Sequence, residues 1–121
     1  MTGRDAWLAQ VVEETIEPER PIVDPHHHLW RCESPYLLAD LWADTGSGHT
    51  IEQSVFIECG AEYRTDGPAA LRPVGETEFV VRVAAEAAQG PPDAARIGAI
   101  VGFADLMLGA EVEAVLEAHI E

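Results

Sequence analysis

Three segments of the chain are rich in apolar residues, and the connections between them have a different spacing of apolar and polar positions. The segments run from Pro21 to about His28, over Gln53–Cys59, and from Ile97 to about Asp105. The second segment, and again the third, is a nearly continuous apolar run, which is typical of a strand that is covered on both faces. We therefore predict three β-strands, and their strict alternation with helical connections favours a parallel α/β sheet.

Between these segments, apolar residues recur at helical spacing. The stripe in residues 4–17 predicts an N-terminal helix that ends at a proline and covers the open end of a sheet or barrel. Residues 75–89 predict a long helix, and a short helical piece lies within the connection 32–50. A last helix starts near Gly109 and reaches Glu121 without a terminating glycine or proline, so we expect the chain to be the front part of a longer protein.

The first strand ends in three consecutive histidines. Alternate side chains of an extended strand point to opposite faces, so we expect His26 and His28 to project together and His27 to point away. Asp24 should share the face of the pair. Pro25 donates no ladder hydrogen bond, so pairing should end near Asp24 and leave the histidines at the carboxyl-terminal lip, where α/β folds place their sites. Two imidazoles about 6–7 Å apart on one strand face can share a metal ion or a substrate oxygen.

Charge narrows the range of partners. The 121 residues include 22 acidic and 7 basic side chains, for a formal net charge of -15. This surface repels phosphate backbones and anionic lipids, so we expect a small-molecule substrate rather than nucleic acid or a membrane. The sequence has no signal-peptide pattern, and Cys32 and Cys59 do not form a CxxC motif. We expect a cytoplasmic protein; the composition leaves its oligomeric state open.

The histidine segment resembles a known motif. Residues 22–30 (Ile-Val-Asp-Pro-His-His-His-Leu-Trp) are similar to the strand-one motif of the amidohydrolase superfamily, in which His-x-His closes the first strand of a (β/α)8 barrel. Residues 55–58 and 100–106 resemble the amidohydrolase-related branch, which includes 2-pyrone-4,6-dicarboxylate lactonase and sugar lactonases. The similarity runs from about Arg20 to the C-terminus. It implies that residues 1–121 are the N-terminal portion of one TIM-barrel domain, with about three parallel strands and covering helices.

The resemblance also implies a chemistry. His26 and His28 match the pair that ligates a divalent metal in the superfamily, and zinc suits imidazole nitrogen. The implied reaction is hydrolysis of a lactone or similar cyclic ester by metal-activated water, with further ligands and a base from later strands. Some lactonases of this branch are thought to work without metal, and the histidines would then hydrogen-bond the carbonyl. Non-oxidative decarboxylation, or an inert fragment with a partial metal-binding site, are the alternatives.

Carboxylates near the strand ends are the remaining candidates. Glu58, at the end of the second strand, could face the site as a catalytic group or could pair with an arginine. Asp105, at the end of the third strand, is a similar catalytic candidate. Asp24 could orient a histidine or cap the strand-to-loop turn. Trp30 is more often a loop anchor than a stacking surface for substrate.

Overall fold

The three apolar segments form one parallel sheet with strand order β1-β2-β3. The computed structural model describes residues 2–121. Its elements are α1 (Gly3–Leu8), β1 (Pro21–His27), α2 (Leu38–Thr45), β2 (Thr50–Ile57), α3 (Val74–Ala88), β3 (Arg96–Val101) and α4 (Val112–Ile120), with short 3-10 helices at Ala69–Leu71 and Leu106–Glu111. The predicted α/β class and parallel sheet are confirmed. None of the described helices is long and apolar enough to cross a membrane.

Helices α2 and α3 cover the same face of this sheet. Phe56 of β2 is fully buried there, in a cluster with Leu29, Leu38, Leu41, Phe79, Val80, Val83 and Ala87. The opposite face is open: Val23 of β1 is 57% exposed and Val101 of β3 is 48% exposed. The apolar strands predicted cover on both faces, but the described helices cover only one face.

The predicted N-terminal helix over residues 4–17 is wrong in length. A capping box between Thr2 and Asp5 starts α1, but the helix ends at Leu8. The apolar stripe beyond it contacts no core, and Ile16 is 80% exposed. An isolated helix is marginal in water unless its apolar face packs against something, and here it has no such surface.

The third strand also ends earlier than predicted. It stops at Val101, and Asp105 lies beyond it, at the start of the 3-10 helix that precedes α4. Strand β2 is displaced toward the N-terminus, since it begins at Thr50 and ends at Ile57. Helix α3 follows the prediction to within one residue at each end.

Two neighbouring valines of α3 test how the core is distributed. Val80 is fully buried, whereas Val81 is 53% exposed. Val80→Ala should lower the free energy of unfolding by about 2–3 kcal/mol, since it removes two buried methyl groups. Val81→Ala should change it by about 0.5 kcal/mol or less. Urea unfolding followed by circular dichroism measures both, and equal losses would contradict the one-sided packing of α3.

Candidate functional site at the end of strand β1

The end of β1 is shaped by one extra residue beside Pro25. Asp24 lies opposite Ser54 of β2. The next pair is His27 opposite Phe56, so three steps along β1 match two along β2. The proline has no N–H to give to the ladder. Pairing was predicted to end near Asp24. Instead, it is interrupted there and resumes at His27.

The extra residue changes the face on which Asp24 lies. Partners on neighbouring parallel strands share a face, and Ser54 is fully buried on the face that the helices cover. Asp24 therefore lies on the side of His27, and the prediction that it shares the face of the other two histidines is wrong. Its carboxylate accepts a hydrogen bond from the backbone N–H of His26 at 3.1 Å, which confirms the turn-capping alternative.

The side chains of His26 and His28 meet, as strand alternation predicted. Their Nε2 atoms are 3.2 Å apart, and their rings lie edge to face with centroids 4.8 Å apart. His26 is exposed and His28 is half-buried, so the pair is open to solvent on one side. The two rings thus converge more closely than the spacing along the strand alone suggests.

A backbone carbonyl fixes the orientation of His28. The Ile57 oxygen lies 2.8 Å from His28 Nδ1, and because a carbonyl only accepts, Nδ1 carries the proton. In the neutral ring, Nε2 then presents its lone pair toward His26. This is the arrangement that a metal-binding histidine usually has, with one nitrogen on the ion and the other donating to a carbonyl or carboxylate.

The separation of the two Nε2 atoms fits two ligands of one zinc ion. Zn–N bonds are about 2.0–2.1 Å long, and two such bonds to atoms 3.2 Å apart would enclose an angle of about 100°, close to tetrahedral. No group of three or more histidine, cysteine, aspartate or glutamate side chains able to hold a metal occurs among residues 2–121. The pair therefore offers two nitrogen atoms to an ion, without a third such side chain grouped with them among these residues.

His27 has a different environment from its neighbours. It is buried, its ring lies edge to face on Phe56 at 5.7 Å, and neither ring nitrogen has a hydrogen-bond partner within the described residues. Burial lowers the pKa of His27 because desolvation disfavours the imidazolium, although the Asp24 charge opposes this shift. His27 is thus a neutral packing residue, and it points away from the pair as predicted.

A short aromatic hairpin borders the site. Trp30 and Tyr36 pair through two backbone hydrogen bonds, and Trp30 Nε1 donates to the Ser34 carbonyl at 2.7 Å, which confirms Trp30 as a loop anchor. Tyr36 donates its hydroxyl proton to Asp44 at 2.6 Å. Burial, together with that carboxylate, raises the pKa of Tyr36. With the three histidines, these groups line an open groove of about 390 Å³.

The two predicted catalytic carboxylates are not brought into this groove. Glu58 is half-buried just after β2, and its backbone N–H donates to the Val101 carbonyl at 2.9 Å. Within the part of the chain that the structure describes, Glu58 forms no ion pair with an arginine. Asp105 is exposed and accepts a hydrogen bond from the backbone N–H of Met107 at 2.9 Å, so it caps the 3-10 helix before α4.

Two polar residues that organise the strand ends are not apparent as site residues from the sequence. Glu76, in the first turn of α3, is almost fully buried and accepts hydrogen bonds from the loop that follows β2. His119 of α4 donates from Nε2 to the Phe103 carbonyl and contacts the Thr77 hydroxyl through Nδ1, both at 2.8 Å. The available signal for Glu76 was its position three residues after Pro73, where glutamate often reaches back across a helix N-terminus.

Comparisons of the chain with protein-family models, with curated proteins and with solved structures found no match. The geometry at the end of β1 is therefore what supports a functional assignment.

Acid should destabilise the chain through His27. Its pKa is lower in the folded chain than in the unfolded one, where it is about 6.5, so below that pH the unfolded state binds more protons and the free energy of unfolding falls. His27→Phe removes this group and leaves no buried nitrogen unpaired. Urea unfolding at about pH 7.5 and about pH 5, with a chelator present, should show a smaller loss in the variant than in the wild type.

The exposed His49 gives the matched control for that experiment. His49→Phe should leave the difference between the two pH values as it is in the wild type. If His27→Phe lost as much stability on acidification as the wild type does, the neutral, desolvated state of His27 would be refuted.

Proposed function

We propose that this chain forms the first part of a (β/α)8-barrel hydrolase of the amidohydrolase-related class. In this proposal His26 and His28 bind a divalent metal ion, most suitably zinc, and the substrate is a lactone or similar cyclic ester. The observation that carries the proposal is the pair of Nε2 atoms 3.2 Å apart, with His28 held by the Ile57 carbonyl.

The arrangement of the sheet is compatible with a barrel. The strands are adjacent in chain order, and both α2 and α3 pack on one face. The first half of a doubly wound sheet has the same arrangement, and it differs from a barrel only further along the chain, where the strand order reverses and helices cover the other face. In a barrel, the open face with Val23 and Val101 would be the interior, and later strands would bury it.

The position of the histidines also fits this class of enzyme. Barrel enzymes carry their active sites at the carboxyl ends of the strands, which is where His26 and His28 lie. His26 and His28 would hold a divalent ion there, and such an ion would supply polarisation of the ester carbonyl and a water of lowered pKa. The chain contributes by presenting both Nε2 atoms from one side, with the His28 lone pair directed by its bond to Ile57.

Glu58 is the carboxylate of this chain that we include as a candidate proton acceptor. It directly follows Ile57, and no ion pair among the described residues engages it, but it does not line the groove beside the pair and would have to turn toward it. Asp105 is not included, because its carboxylate is exposed and caps a helix. Cys32 and Cys59 are both free and exposed, which fits a reducing compartment, so a cytoplasmic location is part of the proposal.

Substitution of the pair tests the proposal. In the complete protein, His26→Ala and His28→Ala should each weaken zinc binding by more than about 100-fold, since loss of an outer-shell partner alone costs about 10–100-fold. Both should abolish lactone hydrolysis. Zinc affinity is measured by calorimetry, and turnover by proton release from a panel of lactones.

His27→Ala and His49→Ala are the controls for this test. Neither residue belongs to the pair, so both variants should bind zinc as the wild type does. Equal losses of zinc affinity in all four variants would contradict the assignment of His26 and His28. Hydrolysis that survives exhaustive chelation would refute the metal but retain the alternative in which the histidines hydrogen-bond the substrate carbonyl.

A further inference from the structure

Glu76 is a buried carboxylate with no cationic partner among the described residues. It is 2% exposed, and it forms neither of the two ion pairs of residues 2–121. Burying an ionised carboxylate is costly unless hydrogen bonds replace its water. Here the replacement comes from one loop. The Ala61 N–H donates at 2.5 Å, the Cys59 N–H at 3.2 Å, and the Cys59 thiol lies 3.6 Å from the same oxygen.

That loop lies tightly against the start of α3. A side chain at Gly75 would place its Cβ 2.5 Å from the Arg64 nitrogen and 2.7 Å from the Glu62 oxygen, so only glycine fits. Gly60 and Glu62 have positive φ values of 79° and 54°. Glu62 has a side chain that disfavours this conformation, so the loop needs outside contacts to hold its path.

The same loop begins at the group that orients His28. Ile57, whose carbonyl accepts a hydrogen bond from His28 Nδ1–H, lies two residues before Cys59. On the other side, the Glu58 N–H is bonded to the Val101 carbonyl of β3. The backbone of residues 57–61 is therefore fixed at three points, by His28, by β3 and by the Glu76 carboxylate.

We propose that Glu76 is a positioning residue for the His26–His28 pair, acting through the backbone of residues 57–61. Its carboxylate holds the Cys59 and Ala61 N–H groups, which keeps the Ile57 carbonyl directed at His28 Nδ1. This holds His28 in the tautomer whose Nε2 is free to bind. That this tautomer serves metal binding rests on the proposed function. The tautomer itself can be measured without metal.

Glu76→Gln tests this role with minimal change in shape. In the amide, an NH2 group replaces the second oxygen, which lies 3.3 Å from the Cys59 nitrogen, so a donor faces a donor there, and the remaining neutral oxygen accepts more weakly than a carboxylate. In the complete chain with 15N-labelled histidine and no metal, NMR should show that His28 changes from one tautomer to a mixture of two. Zinc should then bind about three- to tenfold more weakly, less than the 10–100-fold expected for a direct partner. Glu78→Gln is the matched control, because Glu78 is exposed on the same helix and pairs with Arg64 of the same loop.

The outcomes separate positioning from simple stabilisation. If Glu76→Gln lowers only the melting temperature, with the His28 tautomer and zinc affinity as in the wild type, the positioning role is refuted. If Glu76→Gln does not fold, Glu76→Asp is measured in its place, since it keeps the charge but shortens the reach and should also produce mixed tautomers. If wild-type protein binds no zinc, the metal site of the proposed function is refuted, while the tautomer measurement still decides the role of Glu76.

Discussion

The hydrogen bond from His28 Nδ1 to the Ile57 carbonyl is the contact on which the end of β1 depends. It joins two strands through a side chain rather than through the ladder, and it decides which nitrogen of His28 is free. Without it, a histidine at a strand end would sample both tautomers and several ring orientations. With it, one Nε2 faces another at 3.2 Å, although the bulge at Pro25 interrupts regular pairing just before.

Two buried polar groups near this contact differ in how they are satisfied. Glu76 receives N–H and thiol donors from the loop after β2, whereas both ring nitrogens of His27 lack a partner among the described residues. A satisfied buried carboxylate rigidifies its surroundings, while an unsatisfied imidazole has a lowered pKa and reduces stability in acid. The rigid element is therefore the loop that begins after Ile57, and the acid-sensitive group is His27 on the helix-covered face.

Strand periodicity predicted much of this site from the sequence, because it depends only on local geometry. Alternation separated His27 from its neighbours, and apolar runs located the three strands. Alternation failed at Asp24, since a one-residue irregularity in pairing inverts the faces and leaves no periodic trace. Helical periodicity failed for residues 9–17, because the apolar stripe there has no surface to cover. Glu76 was missed because a first-turn glutamate is ordinarily exposed, and its burial arises from a loop folding over it.

We expect the two Nε2 atoms to share one metal ion. X-ray absorption at the zinc edge of zinc-loaded protein, compared between wild type and His28→Ala, measures this. Imidazole nitrogens should lie about 2.0–2.1 Å from zinc in the wild type, with one imidazole fewer or no bound zinc in the variant. An unchanged zinc environment in His28→Ala would contradict it.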